Sequence, residues 1–148
     1  MHIQILTILL TILFAGVHQQ TKPVESGNVP TVSYCELTRN AGLHVGKIVR
    51  VKATWEYGFE WSFLYHRECM NRVNRAWVQF LDEDDLCPGS KKKLKQLRDK
   101  AFTNKVDVVV IGKLSGDETG HRYGDGGYGY QFVVACVESA KQVSANAP

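Results

Sequence analysis

The sequence has no C-x-x-C pair, no G-x-S-x-G, no H-E-x-x-H and no Cys-His nucleophile pattern. The first absence argues against thioredoxin-like exchange and zinc ribbons, the others against familiar hydrolases and metalloproteases. No apolar run reaches the roughly 20 residues of a membrane-spanning helix. No internal repeat occurs, which excludes solenoids and propellers. Charge of one sign is scarce too: 18 Lys+Arg against 15 Asp+Glu leave a net +3. With 44% hydrophobic and 22% charged residues, the 148-residue chain is one ordinary globular domain, neither disordered nor long enough for two.

Residues 1–20 hold no Lys, Arg, Asp or Glu. Within them, residues 3–17 are apolar apart from Gln4, Thr7 and Thr11, and small residues follow at Ala15 and Gly16. That length fits the apolar core of a secretory signal peptide, although its positive start rests on the amino terminus alone. The alternative is an uncleaved amino-terminal anchor. The expected organisation is a signal peptide over 1–20, a polar linker over 21–31, a folded domain over 32–143 and a frayed tail over 144–148. The implied location is periplasmic, cell-envelope or extracellular, with no membrane span left after signal removal. Four cysteines, Cys35, Cys69, Cys87 and Cys136, agree with an oxidising compartment: an even number allows two disulfides in three connectivities.

Ser33 and Glu36 form a capping box that opens a short helix, with Gly42 as its expected stop. From Val49 to Tyr65 every odd position is apolar or aromatic, and Leu64 is the one apolar residue out of phase. Period-two alternation is a half-buried strand. Seventeen residues exceed one ordinary strand, so a bend or turn is expected at Gly58, where the phase can switch sides. A third strand follows near 75–81, a lysine-rich helix over 90–102, a fourth strand over 106–114, a glycine-rich loop over 115–127 and a fifth strand over 128–138. The order α-β-β-β-α-β-β predicts a mainly β, OB-fold-like five-stranded Greek-key barrel; an open α+β sheet is the rival.

Ser33-Tyr34-Cys35-Glu36-Leu37, Gly46-Lys47-Ile48-Val49-Arg50-Val51 and Tyr130-Gln131-Phe132-Val133-Val134-Ala135-Cys136 resemble segments of a group of uncharacterised, exported, mostly bacterial OB-fold-like proteins. The resemblance spans about Ser33 to Val143 and implies a fold and an exported setting, but no reaction and no catalytic residue. It implies that the first helix lies beside the last strand, which would pair Cys35 with Cys136 and Cys69 with Cys87.

Several motif-like stretches fail on context. Gly124-Asp-Gly126-Gly-Tyr-Gly129 spells G-x-G-x-x-G but leads into a strand, where no helix N-terminus can meet a pyrophosphate. Asp82 to Asp85 lacks the glycine and distal glutamate of an EF-hand. His66 and Cys69 have ligand-like spacing without a second chelating pair, so neither a metal nor a cofactor is expected. Lys91 to Lys100 reads as a solvated helix face.

The aromatic residues carry the functional signal. OB-folds bind extended ligands over strands two and three and the flanking loops, stacking rings on bases or sugars. Trp55 and Phe63 are expected in the core, whereas Trp61, Tyr65, His121, Arg122, Tyr123 and Tyr128 are the candidate ligand-binding residues. The expectation is an exported, non-enzymatic module for an extended ligand: a glycan, a peptide or a protein surface. The alternatives are a single-stranded nucleic-acid binder, disfavoured by export and the mild charge, and a metal-dependent hydrolase built on Glu56, Glu60, Asp107 and Arg50.

Overall fold

The computed structural model describes residues 26–98, 105–116, 122–125 and 127–143. The expected signal peptide, residues 21–25 of the linker, the tail, His121 and Lys100 lie outside them. Two short helices, α1 (Tyr34–Arg39) and α2 (Ala41–His44), precede strands β1 (Ile48–Tyr57), β2 (Ser62–Tyr65) and β3 (Ala76–Phe80). Helix α3 (Ser90–Arg98) then leads to β4 (Lys105–Gly116) and β5 (Tyr130–Gln142). The strands close into a barrel in the order β1-β2-β3-β5-β4, with β3 and β5 parallel and the other pairs antiparallel. This is the OB-fold-like barrel expected from the sequence.

Ser33 caps α1 by accepting from the Glu36 amide at 3.1 Å. The expected stop at Gly42 is displaced. Asn40 ends α1, Gly42 lies inside α2, and the left-handed backbone falls at Gly46 (φ 79°). Helix α1 is anchored by Tyr34, which is buried under the barrel rim. Its hydroxyl lies 2.7 Å from the Leu64 carbonyl and 2.8 Å from that of Asn74, and accepts from the Ala76 amide at 3.0 Å. One phenol thus joins α1 to the end of β2 and the start of β3.

The β1–β2 hairpin turns at Gly58, whose amide donates to the Trp61 carbonyl at 2.8 Å. Its register pairs Trp55 with Leu64 and Glu56 with Phe63, odd positions with even ones. Residues directly opposite in antiparallel strands share a face. Val49, Val51 and Ala53 of β1 therefore point inward together with Leu64 of β2, while Phe63 and Tyr65 point outward. The out-of-phase Leu64 is the sequence mark of that switch. The core is completed by Val78, Val108, Val110, Leu114, Phe132 and Val134, with Leu37 from α1 and Leu97 from α3.

Beyond the end of β3, the open side of β5 is covered by the following loop and α3. The amides of Leu81 and Cys87 donate to the carbonyls of Val134 and Ala135. The buried Ser90 hydroxyl accepts from the Val137 amide at 2.9 Å, and the Lys93 ammonium donates to the Val137 carbonyl at 3.0 Å. On the barrel exterior, Arg50 donates to both carboxylate oxygens of Glu138 at 2.7 and 2.9 Å. Those bonds hold the Glu138 carboxyl below the usual carboxylate range.

The cysteine pairing implied by the resemblance is corrected. The disulfides join Cys35 to Cys69 and Cys87 to Cys136, with Cα separations of 5.6 and 4.9 Å. Tyr34 places α1 over the end of β2, so the adjacent Cys35 meets the 3-10 turn Arg67–Cys69 rather than the last strand. Cys87 reaches Cys136 because the chain after β3 continues along β5. The bridges span 34 and 49 residues, and loop-closure entropy gives each about 4 kcal/mol. Proteolysis of unreduced protein followed by mass spectrometry is expected to yield linked peptides containing Cys35–Cys69 and Cys87–Cys136. Recovery of Cys35–Cys136 would refute this arrangement.

Candidate ligand-binding face

The register that turns Phe63 and Tyr65 outward sets Trp77 beside them, since Phe63 pairs with Trp77 across β2 and β3. Tyr128, just before β5, lies over this row: its ring centroid is 5.8 Å from Phe63 and 5.5 Å from Trp77. Phe63 is therefore buried, as expected, but outside the barrel rather than in its core. Tyr65, Trp77 and Tyr128 remain half-buried, each with an edge open to solvent. Burial pushes the Tyr65 and Tyr128 hydroxyls above the ordinary tyrosine range, so both are neutral hydrogen-bonding groups at physiological pH.

Tyr123 pairs with Tyr128 in an isolated antiparallel bridge, its amide 2.9 Å from the Tyr128 carbonyl. Gly124 lies against the Trp77 ring, where a Cβ would fall 2.7 Å from a ring carbon. Arg122 is exposed beside this pair. Tyr65, Tyr123 and Tyr128, with Arg122 next to them, thus gather at one end of the β2–β3 face.

Trp61 is placed differently. It precedes β2 in the hairpin loop, 42% exposed, near the fully exposed Phe59. It lines a cleft of about 680 Å³ between that loop, the β3–α3 loop and α3. Trp55 and Tyr57 stack in the same cleft with centroids 4.2 Å apart, and Phe80 meets Trp55 edge-on at 5.1 Å. Trp55, expected in the core, is half-buried at this mouth, its indole nitrogen donating to the Ser62 hydroxyl at 3.0 Å. Asp82, Glu83, Lys91 and Lys95 are the charged residues of its lining, beside Leu86, Leu94 and Leu97, with Glu83 ion-paired to Lys91. Four steps along β2 separate Trp61 from Tyr65, about 13 Å at strand spacing. A ligand lying along β2 would meet the cleft at one end and the tyrosines at the other.

Two residues of this face escaped the sequence reading. Trp77 was legible as a strand residue but not as an outward one. Arg75, immediately before β3, holds its guanidinium carbon 4.6 Å above the Phe63 ring. Nothing in the local pattern marks it.

Of the residues considered for hydrolysis, Glu60 is exposed in the β1–β2 loop and the other three are engaged elsewhere. Arg50 is engaged by Glu138, Glu56 lies 3.5 Å from Lys105, and Asp107 accepts from Thr54 at 2.8 Å. Cys35, His66 and Cys69 bring their side chains together, but the two sulfurs are bonded to each other and offer no thiolate to a metal. The basic residues at the start of α3 sit beside the acidic loop that precedes it, as the Glu83–Lys91 pair shows.

Strand order and pairing place the chain in the class of OB-fold-like barrels. No family model, no curated protein and no solved structure matches the chain.

Proposed function

We propose that this chain is an exported, non-enzymatic binding module that holds an extended ligand along the outer face of β2 and β3. The observation that carries this reading is the hairpin register. It turns Phe63, Tyr65 and Trp77 out of the barrel and, with Tyr128, builds a ring platform where a monomer needing only a core would place polar residues. The platform lies between the β1–β2 and β4–β5 loops, the position at which OB barrels take oligomeric ligands. Neutral tyrosine hydroxyls and half-exposed rings suit sugar rings, which present apolar faces and hydroxyl edges. Export is supported by the two disulfides.

The test is a binding screen of glycan and peptide oligomers against the wild type and a Trp61→Ala/Tyr123→Ala double variant. Each stacking ring is worth about 1–3 kcal/mol. The double variant should therefore lose about thirtyfold or more in affinity while keeping its melting temperature. Unchanged affinity for every ligand would refute the reading. Retention on single-stranded DNA that collapses with modest salt would replace it with the nucleic-acid alternative.

A further inference from the structure

Arg75 is half-buried, and its Nε is shut off from solvent with no hydrogen-bond partner. Among the described residues no carboxylate pairs with it, and its guanidinium carbon lies over the Phe63 ring, 4.6 Å from the centroid. An arginine nitrogen shut off from solvent ordinarily meets an acid or a carbonyl, because a buried donor without a partner costs free energy. Here the donors stand within the ring platform, close enough to Tyr65 and Tyr128 for the Arg75 charge to act on both hydroxyls. The Phe63 ring backs the guanidinium, and among the described residues no acceptor takes its terminal nitrogens.

We infer that Arg75 is an anion subsite of this face and that the ligand is an acidic glycan, with Arg75 pairing to the carboxylate of a uronic-acid residue stacked beside Tyr65 and Tyr128. The inference rests on the binding reading above and adds the chemical class of ligand. A planar, bidentate carboxylate matches the guanidinium fork. A phosphate backbone fits less well. Arg72, Lys105 and the exposed Arg122 also place positive charge near the tyrosines of this face, but Glu56, Asp107 and Asp125 stand among them and offset it, so no unbroken track of cations runs along it. An acidic peptide fits less well too, because every strand of the closed barrel already has two neighbours and none is left to pair with a peptide main chain.

The experiment measures affinity by calorimetry for a galacturonic-acid hexamer, for the same hexamer with its carboxyls reduced to alcohols, and for an oligothymidylate. The expected result is binding of the acidic hexamer at least tenfold tighter than the neutral one. Arg75→Gln should abolish that preference and Arg75→Lys should keep part of it, both at near wild-type melting temperature. The Arg75 Nε–H resonance should shift on titration with the acidic hexamer in the wild type, a readout that holds even if the glutamine variant folds poorly. Equal binding of the two hexamers, or a preference that survives Arg75→Gln, overturns the anion subsite and leaves the binding module standing. Preference for oligothymidylate overturns the glycan. Failure of both hexamers to bind overturns the inference, and the module falls with it only if the Trp61/Tyr123 double variant also leaves every affinity unchanged.

Discussion

Replacing Gly112 by alanine is expected to destabilise the protein by about 3 kcal/mol or more, among the largest effects of any single methyl group added to this chain. Gly112 lies in β4 next to a register shift where the strand crosses β5. A Cβ there would fall 2.2 Å from the Val133 carbonyl oxygen and 2.7 Å from a ring carbon of Phe132. Neither neighbour can yield. The carbonyl belongs to the β4–β5 ladder, and Phe132 is fully buried in the barrel core. The strands would have to separate at the longest seam of the barrel. Gly42→Ala is the matched control, since its Cβ meets nothing within 4 Å and it lies inside α2. There alanine should stabilise by about 0.5–1 kcal/mol, because glycine loses more backbone freedom on folding. Urea midpoints of the two variants and the wild type decide the matter. Equal midpoints would mean that the β4–β5 approach is looser than the structure shows.

The second large effect is expected at Tyr34. Tyr34→Phe keeps the ring and removes one oxygen. That oxygen serves the Ala76 amide and lies within hydrogen-bond distance of the Leu64 and Asn74 carbonyls. Each buried group left without a partner costs about 1–3 kcal/mol, so a loss of about 3 kcal/mol and roughly 10 °C in Tm is expected. The same site sets an alkaline limit. Burial pushes the Tyr34 hydroxyl well above its ordinary value, so the folded state needs the neutral phenol. With the folded-state value raised, the contribution of Tyr34 is fully present below about pH 10 and is lost as pH climbs past it toward the folded-state value. Wild type and Tyr34→Phe should therefore differ less at pH 10.5 than at pH 8. A gap that stays constant would show that the phenol ionises as freely in the fold as outside it.

The strand plan was readable because alternation is a local signal with a fixed period. Val49, Val51 and Ala53 declare an inward face without reference to anything distant. The hairpin's change of phase was half readable. Leu64 announced that the pattern slips, but which rings emerge depends on loop length and register, settled when Trp55 meets Leu64. Phe63 shows the resulting ambiguity: the pattern predicts a place in the core, whereas Tyr128 and Arg75 pack on it from outside the barrel. The disulfides lay beyond reach for a related reason. Four cysteines fix the number of bridges, whereas partners depend on which loops approach, and the Tyr34 bonds that steer α1 toward the turn at Cys69 have no sequence signature. Arg75 is the plainest case. A single arginine at a strand start carries no periodicity, and its missing acid is visible only once its neighbours are in place.

The parallel contact between β3 and β5 closes the ring, and the loop after β3 with Ser90 and Lys93 covers what β3 leaves of β5. An exposed strand margin is the template on which a second chain extends a sheet into dimers or fibrils. Each described strand here has a neighbour on both sides, so the chain can crowd against copies of itself on a surface without seeding that growth. The Cys87–Cys136 bridge fastens the covering loop to β5. In reducing surroundings the same margin would be held by hydrogen bonds alone, and colloidal stability would come to depend on the redox state of the medium.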